Sequence, residues 1–225
     1  MPREALIKQL TEHLQHQLGH SHDDPILAAQ LAVAFYDAML DWRAPEIGEA
    51  EPVGAIIACA FGYKRQPNGN ITPGPMNQLL AKRVIELQHQ YQCPAYMQWE
   101  ISEAVGSSIA PQHVVAINPD IHPDDATVSY LSTQGVIDKV AQQVPDPGSL
   151  GKVLIVAWRH HVTRSVRIAQ EAGFDAYAPA LDSLPCDYDA SSGQIWTRNP
   201  RDYLLHDVLV RLKKVQARLP GRNGK

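Results

Sequence analysis

Residues able to carry acid–base and anion chemistry gather where apolar runs of this 225-residue chain stop. The densest point is Gly151-Lys152-Val153-Leu154-Ile155-Val156-Ala157-Trp158-Arg159-His160-His161-Val162-Thr163-Arg164, a buried-strand pattern that breaks into two histidines and two arginines. A helix follows, because Val162, Ile168, Ala169 and Ala172 build one apolar stripe and Gly173 supplies a left-handed stop. The spacing places His161 and Arg164 in the first helical turn, three residues apart on one face. Unpaired N–H groups of such a turn, with a guanidinium beside them, hold phosphate or carboxylate, and a neighbouring imidazole can move a proton. The same residues also read as polar caps on a strand end.

Three other apolar runs end in the same way. Gly62, Tyr63, Lys64, Arg65 and Asn68 follow the first; Gln98, Trp99 and Glu100 close the second; Asn118 and Asp120 follow the third. In an open α/β sheet, loops after the carboxyl ends of the strands converge on one rim, where ligands bind. The candidate catalytic residues are His161 and Glu100. The candidate ligand-binding residues are Gly62, Tyr63, Lys64, Arg65, Trp99, Asn118, Arg159, His160 and Arg164. A rim rich in cations with one acid suits a small anionic substrate, nucleotide-like or phosphorylated. Trp99, Tyr63 and Trp158 either stack on a flat ring or form core edges.

The elements that must position these residues follow from periodicity. Residues 1–45 read as an N-terminal helical extension: Leu6, Leu10, Leu14 and Leu18 make one stripe, and Asp24-Pro25 starts a second helix. Pro45, Gly48 and Pro52 mark a linker. The α/β domain spans 53–219. Its five strands are expected at 53–60, 94–99, 113–117, 152–158 and 175–178. Helices are expected after Thr72-Pro73, from Ser102, over 125–144, after His161 and from Asn199-Pro200, the last with Leu204, Leu205, Val208, Leu209, Leu212 and Val215 on its apolar face. Strands alternating with helices argue for a mostly parallel sheet flanked by helices.

Composition narrows the function. Twenty basic against 24 acidic residues give a net charge of −4 and no footprint for nucleic acid. No apolar segment is long enough to span a bilayer, and the N-terminus does not read as a secretory signal, so no membrane partner and a cytoplasmic location are expected. Cys59, Cys93 and Cys186 show no CxxC spacing, and Cys59 reads as a small core hydrophobe. There is no Walker A sequence or full G-x-G-x-x-G, and Gly106-Ser107-Ser108 is not a nucleophile elbow. His13, His16 and His20 would share a helix face, with His22, Asp23 and Asp24 following, but match no zinc spacing, so a solvated polar face is expected, with a transition-metal site as the alternative. Asp182, Asp187 and Asp189 around Cys186 are a weaker candidate for a divalent ion.

The pattern resembles the YdcF-like family of bacterial proteins, the SanA, ElyC and YdcF group. It does so through the strand followed by His161-x-x-Arg164, through the first strand with its polar loop and the helix after Thr72, and through Thr127 ahead of a helix. The chain departs from that pattern at three places. Of the family's glycine-rich first turn only Gly62 is present, Gln98-Trp99-Glu100 stands in place of Ser-Gly-Gly, and Tyr130 stands where an asparagine is expected. The resemblance implies a Rossmann-like α/β fold in a soluble divergent member and, as ligand, S-adenosylmethionine or another nucleotide-like molecule. Two functions compete beside an enzyme at the strand-end cleft. One is a non-catalytic module binding a nucleotide or S-adenosylmethionine; the other is an interaction protein forming a homodimer through the Leu6, Leu10, Leu14 and Leu18 stripe.

Overall fold

The apolar runs fold as the strands of one parallel sheet. The structure, a computed structural model, describes residues 2–18, 25–48, 51–121 and 128–218. His20, His22, Asp23, Asp24 and Thr127 lie outside the described residues. Two compact units are present, Ala44–Tyr203 and a smaller one made of residues 1–43 and 204–225. The last helix therefore divides between the units, whereas the sequence pattern carried the α/β domain through to 219.

In the smaller unit α1 (Arg3–Leu18) packs against α2 (Pro25–Met39). Small Ala28, Ala32 and Ala38 are buried, and Arg3 binds Asp37 at 3.2 Å. The larger unit begins its sheet with β1 (Ala55–Ala58), whose four residues are all buried, as expected of a strand covered on both faces. A short antiparallel hairpin of two-residue strands, β2 (Lys64–Arg65) and β3 (Ile71–Thr72), precedes α3 (Pro75–Tyr91). Next come β4 (Ala95–Gln98), α4 (Trp99–Val105) and β5 (Val114–Ile117). A second small antiparallel ladder, β6 (Asp120–Ile121) with β7 (Val128–Ser129), leads to α5 (Thr133–Gln143). The unit continues through β8 (Lys152–Val156), α6 (Arg159–Glu171) and β9 (Asp175–Tyr177), and α7 (Pro200–Arg218) starts at its end.

The sheet order is β5-β4-β1-β8-β9, and every pairing is parallel. Ile57 sits level with Tyr96 on one side and Ile155 on the other, so the core is densest around β1. The chain winds outward from β1 in both directions, which makes the fold Rossmann-like and puts the topological switch point between β1 and β8.

Several boundaries differ from the sequence reading, with consequences for the site. Strand β8 ends at Val156 and α6 starts at Arg159, so His161 is the third helical residue and Arg164 falls in the second turn, not the first. Helix α4 starts at Trp99, directly on the end of β4, so Glu100 lies in its first turn. Helix α5 runs over 133–143 rather than 125–144; the Ser132 hydroxyl accepts from Gly135 N at 3.1 Å and fixes the start. Gly135 is thereby placed in the first turn, not mid-helix.

Candidate active site

Two buried side chains shape the loop after β1. Where the ladder stops, Ala60 N donates to Gln98 Oε1 at 3.0 Å and Phe61 N to Asn77 Oδ1 at 2.8 Å. Asn77 Nδ2 returns a bond to Gly62 O at 2.8 Å. Gly62 has φ +73°, and a Cβ there would lie 2.6 Å from Ser192 Oγ. The segment carrying Ser192 docks on this loop: Gly193 N donates to Tyr63 O at 2.8 Å, and Lys64 pairs with Asp189 at 3.0 Å and contacts Ser191. Burial raises the Asp189 carboxyl, but the bonds from Ser191 and Lys64 outweigh it and hold it below the usual value.

Glu100 is the chemical anomaly of this rim. Its side chain is fully buried, and neither carboxylate oxygen has a partner in hydrogen-bonding geometry. Gln98 Nε2 is likewise unpartnered. The Tyr130 hydroxyl is close enough to Glu100, Gln98 and Gln194 to share their electrostatics, without giving Glu100 a well-formed bond. Burial is the main cause that pushes the Glu100 carboxyl up to about 7, against smaller stabilisation from its own backbone N–H and Tyr130. Burial and the Glu100 charge together raise the Tyr130 phenol well above its ordinary value. The Tyr63 and Tyr130 rings meet at 5.6 Å, and Trp99 is half-buried beside Glu100 in the sequence. Glu103, one turn further along α4, lines an open groove of about 670 Å³ together with Lys64, Gln66, Thr72 and Gln78.

His161 and Arg164 form a second centre. The imidazole is buried, with Nε2 2.9 Å from Thr133 Oγ1 and Nδ1 2.9 Å from Arg164 Nη2. A guanidinium can only donate, so Nδ1 is the acceptor, Nε2 carries the hydrogen and the ring is neutral. The Tyr203 hydroxyl donates to His160 O at 3.2 Å and stands 3.4 Å from Nδ1. His161 thus links α5 to α6 as a braced strut.

The remaining sequence candidates scatter. Arg159 binds the carbonyls of Leu184 and Asp182, holding that loop against the start of α6. His160 keeps part of its surface in solvent and stands edge-on to Trp158; its partial burial, and then the charge of Arg159, lower its pKa. Arg65 is exposed, 5.9 Å over the Tyr63 ring, and Asn118 is exposed. Trp158 is fully buried, stacks on Phe61 at 4.4 Å and donates to Asp187 O, so it fills the switch-point crevice as core. Burial pushes the Cys59 thiol up to about 12, which makes it inert at neutral pH. Among the described residues no group of three or more His, Cys, Asp and Glu is placed to hold a metal ion, and no helix is long and apolar enough to cross a membrane.

Sequence reasoning did not assign roles to Asn77, Tyr130 and Gln194. Nothing in their local spacing marks them, because each acts through a partner distant in the chain. Family models, curated proteins and solved structures include no match to this chain.

Proposed function

We propose that this protein is an enzyme that moves a proton on a small nucleotide-like ligand at the carboxyl edge of β1 and β4, with Glu100 as the acid–base group. One observation carries the reading: a fully buried carboxyl neither of whose oxygens has a well-formed hydrogen bond, which burial pushes up to about 7. Burying an unpaired ionisable group costs stability and contributes nothing to packing that glutamine or methionine would not. A carboxyl tuned to neutral pH is suited to both giving and taking a proton. Glu100 as acceptor and Gln98 Nε2 as donor match the amide-bearing edge of a planar base. Tyr63, Tyr130 and Trp99 supply ring surface, and exposed Arg65 supplies charge for an anionic substituent. Lys64 and Arg159 are committed to protein partners. His161 holds the scaffold and Glu100 carries the chemistry.

The test is a ligand screen by native mass spectrometry and thermal shift with nucleosides, nucleotides and S-adenosylmethionine, followed by turnover of any binder. Glu100→Gln is expected to keep binding and to lower turnover at least about a hundredfold, with an inflection near pH 7 present in the wild-type rate profile and missing from the residual activity. Unchanged turnover and profile in that variant overturn the assignment. Tight binding with no conversion by the wild type favours the non-catalytic nucleotide or S-adenosylmethionine module.

A further inference from the structure

Tyr130 occupies a seat that does not fit it. The residue is 36% exposed, yet its hydroxyl reaches in among Gln98, Glu100 and Gln194, which are 3%, 0% and 7% exposed. These three come from separate places in the fold: the end of β4, the first turn of α4 and the residue ahead of the short turn Ile195–Thr197. Towards the phenol oxygen Gln98 and Gln194 act as amide donors and Glu100 as an acceptor. One hydroxyl does not serve all three, and both Glu100 oxygens and Gln98 Nε2 stay without a well-formed bond. Gln98 is not free to turn, because its Oε1 accepts from Ala60 N at 3.0 Å. Polar atoms left unpaired in this way cost stability, and an occupant with more polar atoms along its edge would remove that cost.

We propose that this seat binds the imide edge of a six-membered ring, as in a uracil-type base, and that Tyr130 is an internal plug which the ligand displaces. The inference rests on the reading of Glu100 as the acid–base group and narrows its ligand. An imide edge runs carbonyl, N–H, carbonyl. Its N–H donates to ionised Glu100 and its carbonyls accept from Gln98 and Gln194, so two donors flanking one acceptor are all matched. A cytosine-type edge puts an acceptor in the central place, against the carboxylate. Bases held outside a stack are recognised in the same manner, through their hydrogen-bonding edge and their ring faces. Ring size follows from what is replaced, since the phenol is a single six-membered ring with the Tyr63 ring beside it at 5.6 Å. Tyr63 is held from behind, because its ring packs on Gly193 so closely that a Cβ there would collide with it. Tyr63 is therefore the fixed stacking platform, and the partly exposed Tyr130 is the side chain that moves.

Calorimetric titration of the full chain with 1-methyluracil, 3-methyluracil and 1-methylcytosine tests the inference. Only the first keeps a complete imide edge, and it is expected to bind at least about tenfold more tightly than the other two. The plug lowers wild-type affinity by the fraction of molecules in which the seat is open. Tyr130→Ala is therefore expected to bind 1-methyluracil at least about tenfold more tightly than the wild type, and Tyr130→Phe, which keeps the ring and loses the hydroxyl, at least about threefold. Equal binding of 1-methyluracil and 3-methyluracil overturns the imide edge. Variants that bind no more tightly than the wild type overturn the plug. In either case another nucleotide that binds, with turnover lowered in Glu100→Gln, leaves the proposed function standing. Failure of both Tyr130 variants to bind 1-methyluracil overturns the inference as a whole, and failure of all three proteins to bind any nucleoside, nucleotide or S-adenosylmethionine overturns the nucleotide reading with it.

Discussion

At the scale of single residues, Glu100 makes a prediction about stability that is independent of any substrate. Its carboxyl is raised from 4.5 to about 7 in the folded chain, so between those values the folded state binds more protons than the unfolded one. Stability contributed by the protonated form is present below the unfolded pKa and is lost as pH rises through about 7. Glu100→Gln removes the charge but keeps the shape. It is expected to raise unfolding free energy at pH 8 by up to about 3 kcal/mol and to change it little at pH 4, read from urea denaturation at both pH values. Asn77 provides a contrasting case, since its two bonds to the β1 loop contribute in every condition. Asn77→Ala is expected to cost about 2–3 kcal/mol at either pH, by the same measurement. Gly62→Ala combines a positive φ with a Cβ 2.6 Å from Ser192 Oγ and is expected to lower stability by more than about 1 kcal/mol. Glu100 was legible in the sequence as an acid after an apolar run. Its proton affinity was not, because that depends on burial and on Tyr130, which arrives from beyond β7.

At the scale of elements, the ends of helices and strands decide which side chains can act. The direct junction of β4 with α4 puts Glu100 inside, and the short junction between β8 and α6 turns His161 inward against Thr133. The repeat of apolar residues gave both helices but not their first residues, so the expected anion site at His161 and Arg164 becomes a braced contact between α5 and α6. In α7 the Asp207–Arg211 pair sits at i, i+4 with almost no exposure. Removing one partner of such a pair leaves a buried charge unmatched, so Arg211→Met is expected to cost about 3–5 kcal/mol. Asp207→Asn combined with Arg211→Met is expected to cost less than the sum of the two single changes. Thermal denaturation of the three variants gives that coupling directly. The apolar face of α7 was legible from its spacing. Which way it faces was not, because periodicity separates two faces without saying which one the rest of the molecule covers.

At the scale of the whole molecule, β1 is the keystone of the larger unit, paired on both sides and buried along its length. Ile57→Ala is expected to cost about 3–4 kcal/mol in chemical denaturation, whereas substitution of exposed Ala116 by serine on edge strand β5 is expected to cost well under 1 kcal/mol. The sequence by itself determined the alternation of strands and helices and the parallel five-stranded sheet flanked by helices. Continuous apolar runs and helical stripes are local signals that survive folding. Only the tertiary structure decided that Trp158 plugs the switch point with Phe61, that His161 is braced between Thr133 and Arg164, that Lys64 and Arg159 are already partnered, and that Glu100 is buried without a well-formed hydrogen bond. Each of these depends on which distant segment removes water from a group or hydrogen-bonds to it, and desolvation and pairing across tens of residues leave no local pattern to read.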